Sequence, residues 1–136
     1  MEALLFSRLR VLGKSRNASE LGKSAEQEAA RFLKSKQHKL LAQNFHCRFG
    51  EIDLITKDRN DCIVFTEVRF RSQSDYAGAL ESITAQKQNR LRKSAQIYLA
   101  KNPKLQEFSC RFDVLAMQAT RQQGSLDIEW LQNAFY

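Results

Sequence analysis

The chain has 136 residues, of which 43% are hydrophobic and 27% charged, a length that suits one domain with a modest core. No apolar run approaches the roughly 18 to 20 residues that span a bilayer. The short patch Ala3 to Phe6 has Glu2 before it and Arg8 and Arg10 after it, the reverse of an export signal, so the expected address is the cytoplasm. A net charge of +7 and a pI near 9.6 favour polyanionic partners, either nucleic acid or an anionic membrane surface.

Residues 1–18 read as an N-terminal appendage, because Gly13 to Asn17 is polar and basic. Leu4, Leu5, Arg8 and Leu12 suit either a short amphipathic helix or a frayed tail. Residues 19–136 read as one domain. Ser19 to Lys36 is predicted helical, capped by Ser19 or one turn later by Ser24. Leu21, Ala25, Ala29, Phe32 and Leu33 form its apolar stripe, with Glu26 at one edge and Glu28 at the other.

Three strands are predicted next, at Lys39 to Cys47, Gly50 to Lys57 and Cys62 to Arg71, with Lys57 to Asp61 as the turn between the last two. A second helix is predicted over Ser82 to Lys101, ending before Asn102-Pro103. Strands at Phe108 to Met117 and Leu126 to Leu131 close the chain. The order helix, three strands, helix, two strands implies an α/β fold with a mixed sheet flanked by helices.

Cys47, Cys62 and Cys110 have no CxxC spacing, so they read as small buried residues rather than a disulfide framework or zinc site. His38 and His46 have no paired spacing. No serine triad or Gly-rich phosphate loop is present.

Alternation puts Glu51 and Asp53 on one face of their strand, and Glu67, Arg69 and Arg71 on one face of the next. If these strands pair, Asp53 and Glu67 converge. Two adjacent carboxylates repel, and a hard divalent cation offsets that charge with oxygen ligands. Cross-strand surface ion pairing is the alternative.

Asp53 and Glu67 are separated by thirteen residues, and Glu67-Val68-Arg69 follows. Around them stand Gly22-Lys23-Ser24-Ala25-Glu26, Asn44, Gly50 to Ile55, Phe65 to Arg71, Arg111-Phe112-Asp113-Val114 and Asn133-Ala134-Phe135. This pattern resembles the YraN-type family of endonuclease-like proteins. That family lies in the PD-(D/E)xK nuclease superfamily and is similar in core to Holliday-junction resolvases. The resemblance runs from about Glu20 to Phe135.

It implies a restriction-endonuclease-like fold, with Mg²⁺ or Mn²⁺ held by Glu26, Asp53, Glu67 and the Val68 carbonyl. It implies catalysis at Asp53, Glu67 and position 69, a DNA partner, and a homodimer. The superfamily motif ends in Lys where this chain has Arg69. Arginine holds phosphate but stays protonated and cannot act as a general base. Lys87, four residues from both Ile83 and Leu91 on the apolar stripe of the second helix, must snorkel or meet an acid; it is the candidate substitute, with a surface lysine at the helix's N-terminal end as the alternative.

Arg48, Arg71, Arg90, Arg92 and Lys93 are the candidate phosphate-binding rim, with a solvated helix face as the alternative. The expected function is metal-dependent hydrolysis of phosphodiesters in structured or branched DNA. A catalytically impaired nucleic-acid-binding module and a protein-interaction module are the alternatives.

Overall fold

The computed structural model describes residues 4–10, 18–71, 81–120 and 125–136, with side chains from residue 25 onward, residue 71 excepted. Among them are β1 (Leu4–Arg10), α1 (Ala18–Ser35), β2 (Lys39–Cys47), β3 (Gly50–Lys57), β4 (Ile63–Arg71), α2 (Ala85–Lys101), a 3₁₀ turn (Pro103–Leu105), β5 (Cys110–Ala119) and β6 (Ser125–Phe135). The strands form one sheet in the order β1-β6-β5-β4-β3-β2. Among the described strands only β4 and β5 run parallel, and α2 lies in the crossover between them.

The sheet is covered on both faces. Ile55, Ile63, Phe65, Val114 and Ala116 pack against Ile83, Leu91, Ala95 and Tyr98 on the α2 side. Leu54, Leu115 and Met117 pack against Ala25, Ala29, Phe32 and Leu33 on the α1 side. Central strands buried twice need apolar residues on both faces, which explains the unbroken run Val114-Leu115-Ala116-Met117. Trp130 closes the α1 layer edge-on to Phe32, with ring centroids 5.5 Å apart.

The N-terminal segment is neither the helix nor the frayed tail expected of it. Leu4–Arg10 is an edge strand, antiparallel to β6 from Leu4↔Leu131 to Arg10↔Ser125. Strand addition satisfies the outer backbone groups of β6, a tertiary gain that local periodicity cannot report. Leu12 lies outside the described residues.

The second helix also starts later than its apolar stripe suggests. Thr84 caps it, its Oγ1 accepting from the Lys87 N–H at 3.1 Å, so the first helical residue is Ala85 rather than Ser82. The cap places Lys87 in the first turn. Among the described residues, no helix is long and apolar enough to cross a membrane.

Candidate acidic cleft and basic groove

The site begins where the β3–β4 ladder ends. Pairing runs from Lys57↔Ile63 to Leu54↔Thr66 and then stops. The next rung is Asp53 beside Glu67, at the point where the two strands separate. The Val68 N–H, which no longer has a β3 backbone partner in the ladder, donates to Asp53 Oδ2 at 2.8 Å. On the other side of β3, Gln43↔Leu54 and Phe45↔Ile52 bracket Asn44 opposite Asp53. Asn44, Asp53 and Glu67 thus form one row across three strands.

Asp53 and Glu67 line a cleft of about 180 Å³ with Phe49, Gly50, Glu51, Lys87, Arg90, Leu91 and Ser94. Glu67 is only 5% exposed. A buried carboxylate needs a partner, and the Lys87 Nζ lies 2.9 Å from its Oε1. Lys87 is the acid-meeting lysine of the two sequence alternatives. Arg69 is more distant, with Nη1 3.8 Å from the same oxygen. Its guanidinium is engaged with Ser82 instead, donating from Nε to Oγ at 3.3 Å and from Nη2 to the carbonyl at 3.2 Å.

Glu26 reaches the same end of the sheet from α1. The Asn44 amide stands between Glu26 Oε2 and Glu51 Oε1, and only with its nitrogen facing them does it meet both acids as a donor, at 3.2 and 2.8 Å. His46, across from Glu51 in the ladder, lies 3.6 Å from that same Oε1.

The carboxylates crowd one another. Burial, then the charge of Glu67, pushes the Asp53 carboxyl up to about 7, with Glu26 and Glu51 adding to the rise and the Val68 N–H opposing it. Glu26 is raised as well, first by burial and then by Glu51, against the Asn44 hydrogen bond. Each of these acids therefore raises the cost of ionising its neighbours.

A basic groove adjoins the cleft. Arg48, Phe49, Gly50, Gln86, Asn89, Arg90 and Lys93 line it, together with Cys47. Phe49, Gly50 and Arg90 border both hollows. Arg48 and Lys93 lie over the Phe49 ring, at 4.9 and 5.2 Å from its centre. Three of the five rim residues expected from the sequence therefore come together.

Arg92 does not join them. It donates to the Tyr136 carbonyl and to Gln88 Oε1, and lies over the Phe135 ring at 5.6 Å. A helix turns about 100° per residue, so neighbours in a basic run diverge. The Arg71 side chain lies outside the described residues.

Phe49 and Ser94 were not singled out from the sequence. Phe49 occupies the two-residue turn between β2 and β3, and Gly50 follows it with φ of 143°. A Cβ at Gly50 meets nothing within 4 Å, so the backbone angle rather than space requires glycine there. Ser94 breaks the buried stripe Leu91, Ala95, Tyr98 with a hydroxyl, a signal that was readable. It accepts a hydrogen bond from Cys47 at 3.3 Å. Burial alone raises the Cys47 thiol, but Ser94 and the N–H groups of Phe49 and Gly50 outweigh it and hold the thiol down.

A second polar centre lies on the β5–β6 side of the sheet. Asp113 is fully buried. Its Oδ1 accepts from Arg111 Nε at 3.0 Å and the Asn133 N–H at 2.9 Å, and its Oδ2 accepts from Trp130 Nε1 at 3.0 Å. Arg111 also reaches Asp58 at 2.9 Å. The β5–β6 register shifts between Phe112 and Val114, so Asp113 sits at the irregularity and Asn133 opposes it with φ of 52°. The Arg111 to Val114 and Asn133 to Phe135 segments, far apart in sequence, are two halves of this network.

The fold and cleft define a mixed α/β protein with a row of acidic and amide side chains at a strand divergence. The model of the uncharacterised protein family UPF0102 matches residues 25–117. A UPF0102 protein of Alcanivorax borkumensis is 46% identical over 121 residues, covering 89% of this chain and 95% of that one. One from Nitrosomonas europaea is 46% identical over 119 residues, covering 88% and 96%. One from Pseudomonas putida is 42% identical over 114 residues, covering 84% and 91%. The chain belongs to the UPF0102 family.

Proposed function

We propose that this protein is a divalent-cation-dependent phosphodiesterase acting on structured or branched DNA. The observation that carries this reading is Lys87, whose Nζ lies 2.9 Å from the buried Glu67 in a cleft shared with Asp53. A lysine from the crossover helix thereby stands beside the paired acids, while the position that the superfamily motif gives to lysine holds Arg69.

The donor set suits a hard cation. Asp53, Glu67 and Glu26 offer carboxylate oxygens and Val68 a carbonyl, the ligand chemistry of Mg²⁺ or Mn²⁺. The raised Asp53 and Glu26 carboxyls are the electrostatic cost that a cation relieves. When bound, such an ion polarises a phosphate and makes water a better nucleophile.

The chain supplies the rest. Arg90, at the border of cleft and groove, holds the phosphate next to the scissile one. Arg48 and Lys93 hold the strand beyond it. Lys87 donates a proton to the departing oxygen and recovers one from the attacking water, an exchange that the guanidinium of Arg69 does not make. Arg69 braces Ser82 and hence the entry to α2.

The test is a cleavage panel of linear, flapped and four-way DNA with Mg²⁺ or Mn²⁺. Cleavage lost in Lys87→Ala and retained in Arg69→Lys supports the reading. Metal-dependent binding of DNA with no cleavage of any form would instead make the protein a binding module built on the same site.

A further inference from the structure

We infer that Asn44 is a positioning residue that delivers the α1 carboxylate to the cation site. The inference rests on the proposed reading of the cleft as a cation site.

Glu26 belongs to the helix on the far face of the sheet, whose buried residues pack against Leu54, Leu115 and Met117. Asp53 and Glu67 face the other side, with Lys87 and Leu91 of α2. A carboxylate from α1 therefore has to be brought round the strand ends. Asn44 occupies the place where this can be done. The register puts it opposite Asp53, in the row that ends at Glu67.

Its backbone is left-handed, with φ of 51°, inside an otherwise extended strand. Asparagine tolerates that conformation better than other residues with a Cβ. The resulting break in alternation puts the amide between Glu26 and Glu51, and with its nitrogen facing them it lies 3.2 and 2.8 Å from the two acids. The amide offers two N–H donors and no charge. It can hold two acids without becoming a competing cation, as Lys or Arg would.

The effect should be read as Mn²⁺ affinity by titration calorimetry in a double-mutant cycle, with thermal melts as a fold control. Glycine adopts the left-handed conformation freely, so Asn44→Gly removes the amide and spares the backbone. Asn44→Gly should weaken Mn²⁺ binding roughly five- to tenfold at an almost unchanged melting temperature. In a Glu26→Gln background the same change should have little further effect, because Asn44 acts through Glu26.

Unchanged Mn²⁺ affinity in Asn44→Gly, or an equal loss with and without Glu26, overturns the positioning role. Failure of the wild-type protein to bind Mn²⁺ overturns the cation-site reading itself, and this inference with it.

Discussion

Asp113 and Asp53 are both aspartates on interior strands of one sheet, and their surroundings are opposite. Asp113 is enclosed by donors from Arg111, Trp130 and Asn133, while Asp53 receives one backbone N–H and faces Glu67, Glu26 and Glu51. The first is a carboxylate whose charge is matched by the fold. The second is a carboxylate whose charge the fold leaves in excess. Burial alone does not distinguish the two environments. What separates them is whether the chain itself provides the countercharge.

The largest expected contrast comes from deleting each acid. Asp53→Ala or Glu67→Ala should lower DNA cleavage by about 10³-fold or more and remove Mn²⁺ binding, with the fold retained. Asp113→Ala should leave Arg111 buried with less countercharge and cost about 3–5 kcal/mol in urea unfolding. Equal destabilisation by Asp53→Ala and Asp113→Ala would break the comparison.

Lys87→Ala comes next. If Lys87 is the proposed proton-transfer group, its removal should slow cleavage about 10²- to 10³-fold in single-turnover assays. Arg69→Lys should change the rate little, since Arg69 is occupied with Ser82. A large gain from Arg69→Lys, with none lost from Lys87→Ala, would move the catalytic role back to position 69.

Asp53 and Asp58 should respond to pH with opposite signs. The folded Asp53 carboxyl, at about 7, keeps a proton that the unfolded chain releases near its ordinary value. Metal-free protein should therefore lose stability as pH rises through that window, by up to a few kcal/mol. Asp53→Asn should remove this slope in urea melts between pH 4.5 and 8. Asp58 beside Arg111 is the reverse case: burial raises it, but the Cys62 and Asn60 N–H groups and Arg111 prevail and hold it low. Its contribution is present at neutral pH and disappears on acidification through the folded value, and Asp58→Asn should flatten that acid limb.

The smallest effects concern the rim. Arg90→Ala with Lys93→Ala should reduce the slope of log affinity against log salt by about 1 to 2. Arg92→Ala, tied to the C-terminus, should leave DNA affinity unchanged in the same filter-binding series.

Local pattern revealed the elements that carry strong periodicity. The α1 stripe, the three strands from Lys39 onward and the shared face of Asp53 and Glu67 follow from alternation and helical spacing alone. The edge strand at Leu4–Arg10 did not, because its partner is β6, more than a hundred residues away. The start of α2 was misjudged because Ile83 extends the apolar stripe while Thr84 caps it. Arg92 was grouped with Arg90 and Lys93 by proximity in sequence, which a helix does not preserve. The Asn44 bridge was invisible, since it depends on a left-handed residue that alternation assumes away.

The end of the β3–β4 ladder also makes the spacing between the two acids a measure of the hairpin. Four residues from Leu54 to Lys57 and four from Ile63 to Thr66 make the rungs, and the five from Asp58 to Cys62 make the loop; together they are the thirteen that separate Asp53 from Glu67. The loop length is pinned, because Asp58 accepts from the N–H groups of Asn60 and Cys62 and meets Arg111. A hairpin lengthened by one rung gains two residues and inverts the face of both acids at once, whereas two rungs, four residues, restore it. Viable spacings for this architecture with this loop are therefore quantised in fours. A search for distant relatives should allow thirteen and seventeen intervening residues before it allows fourteen.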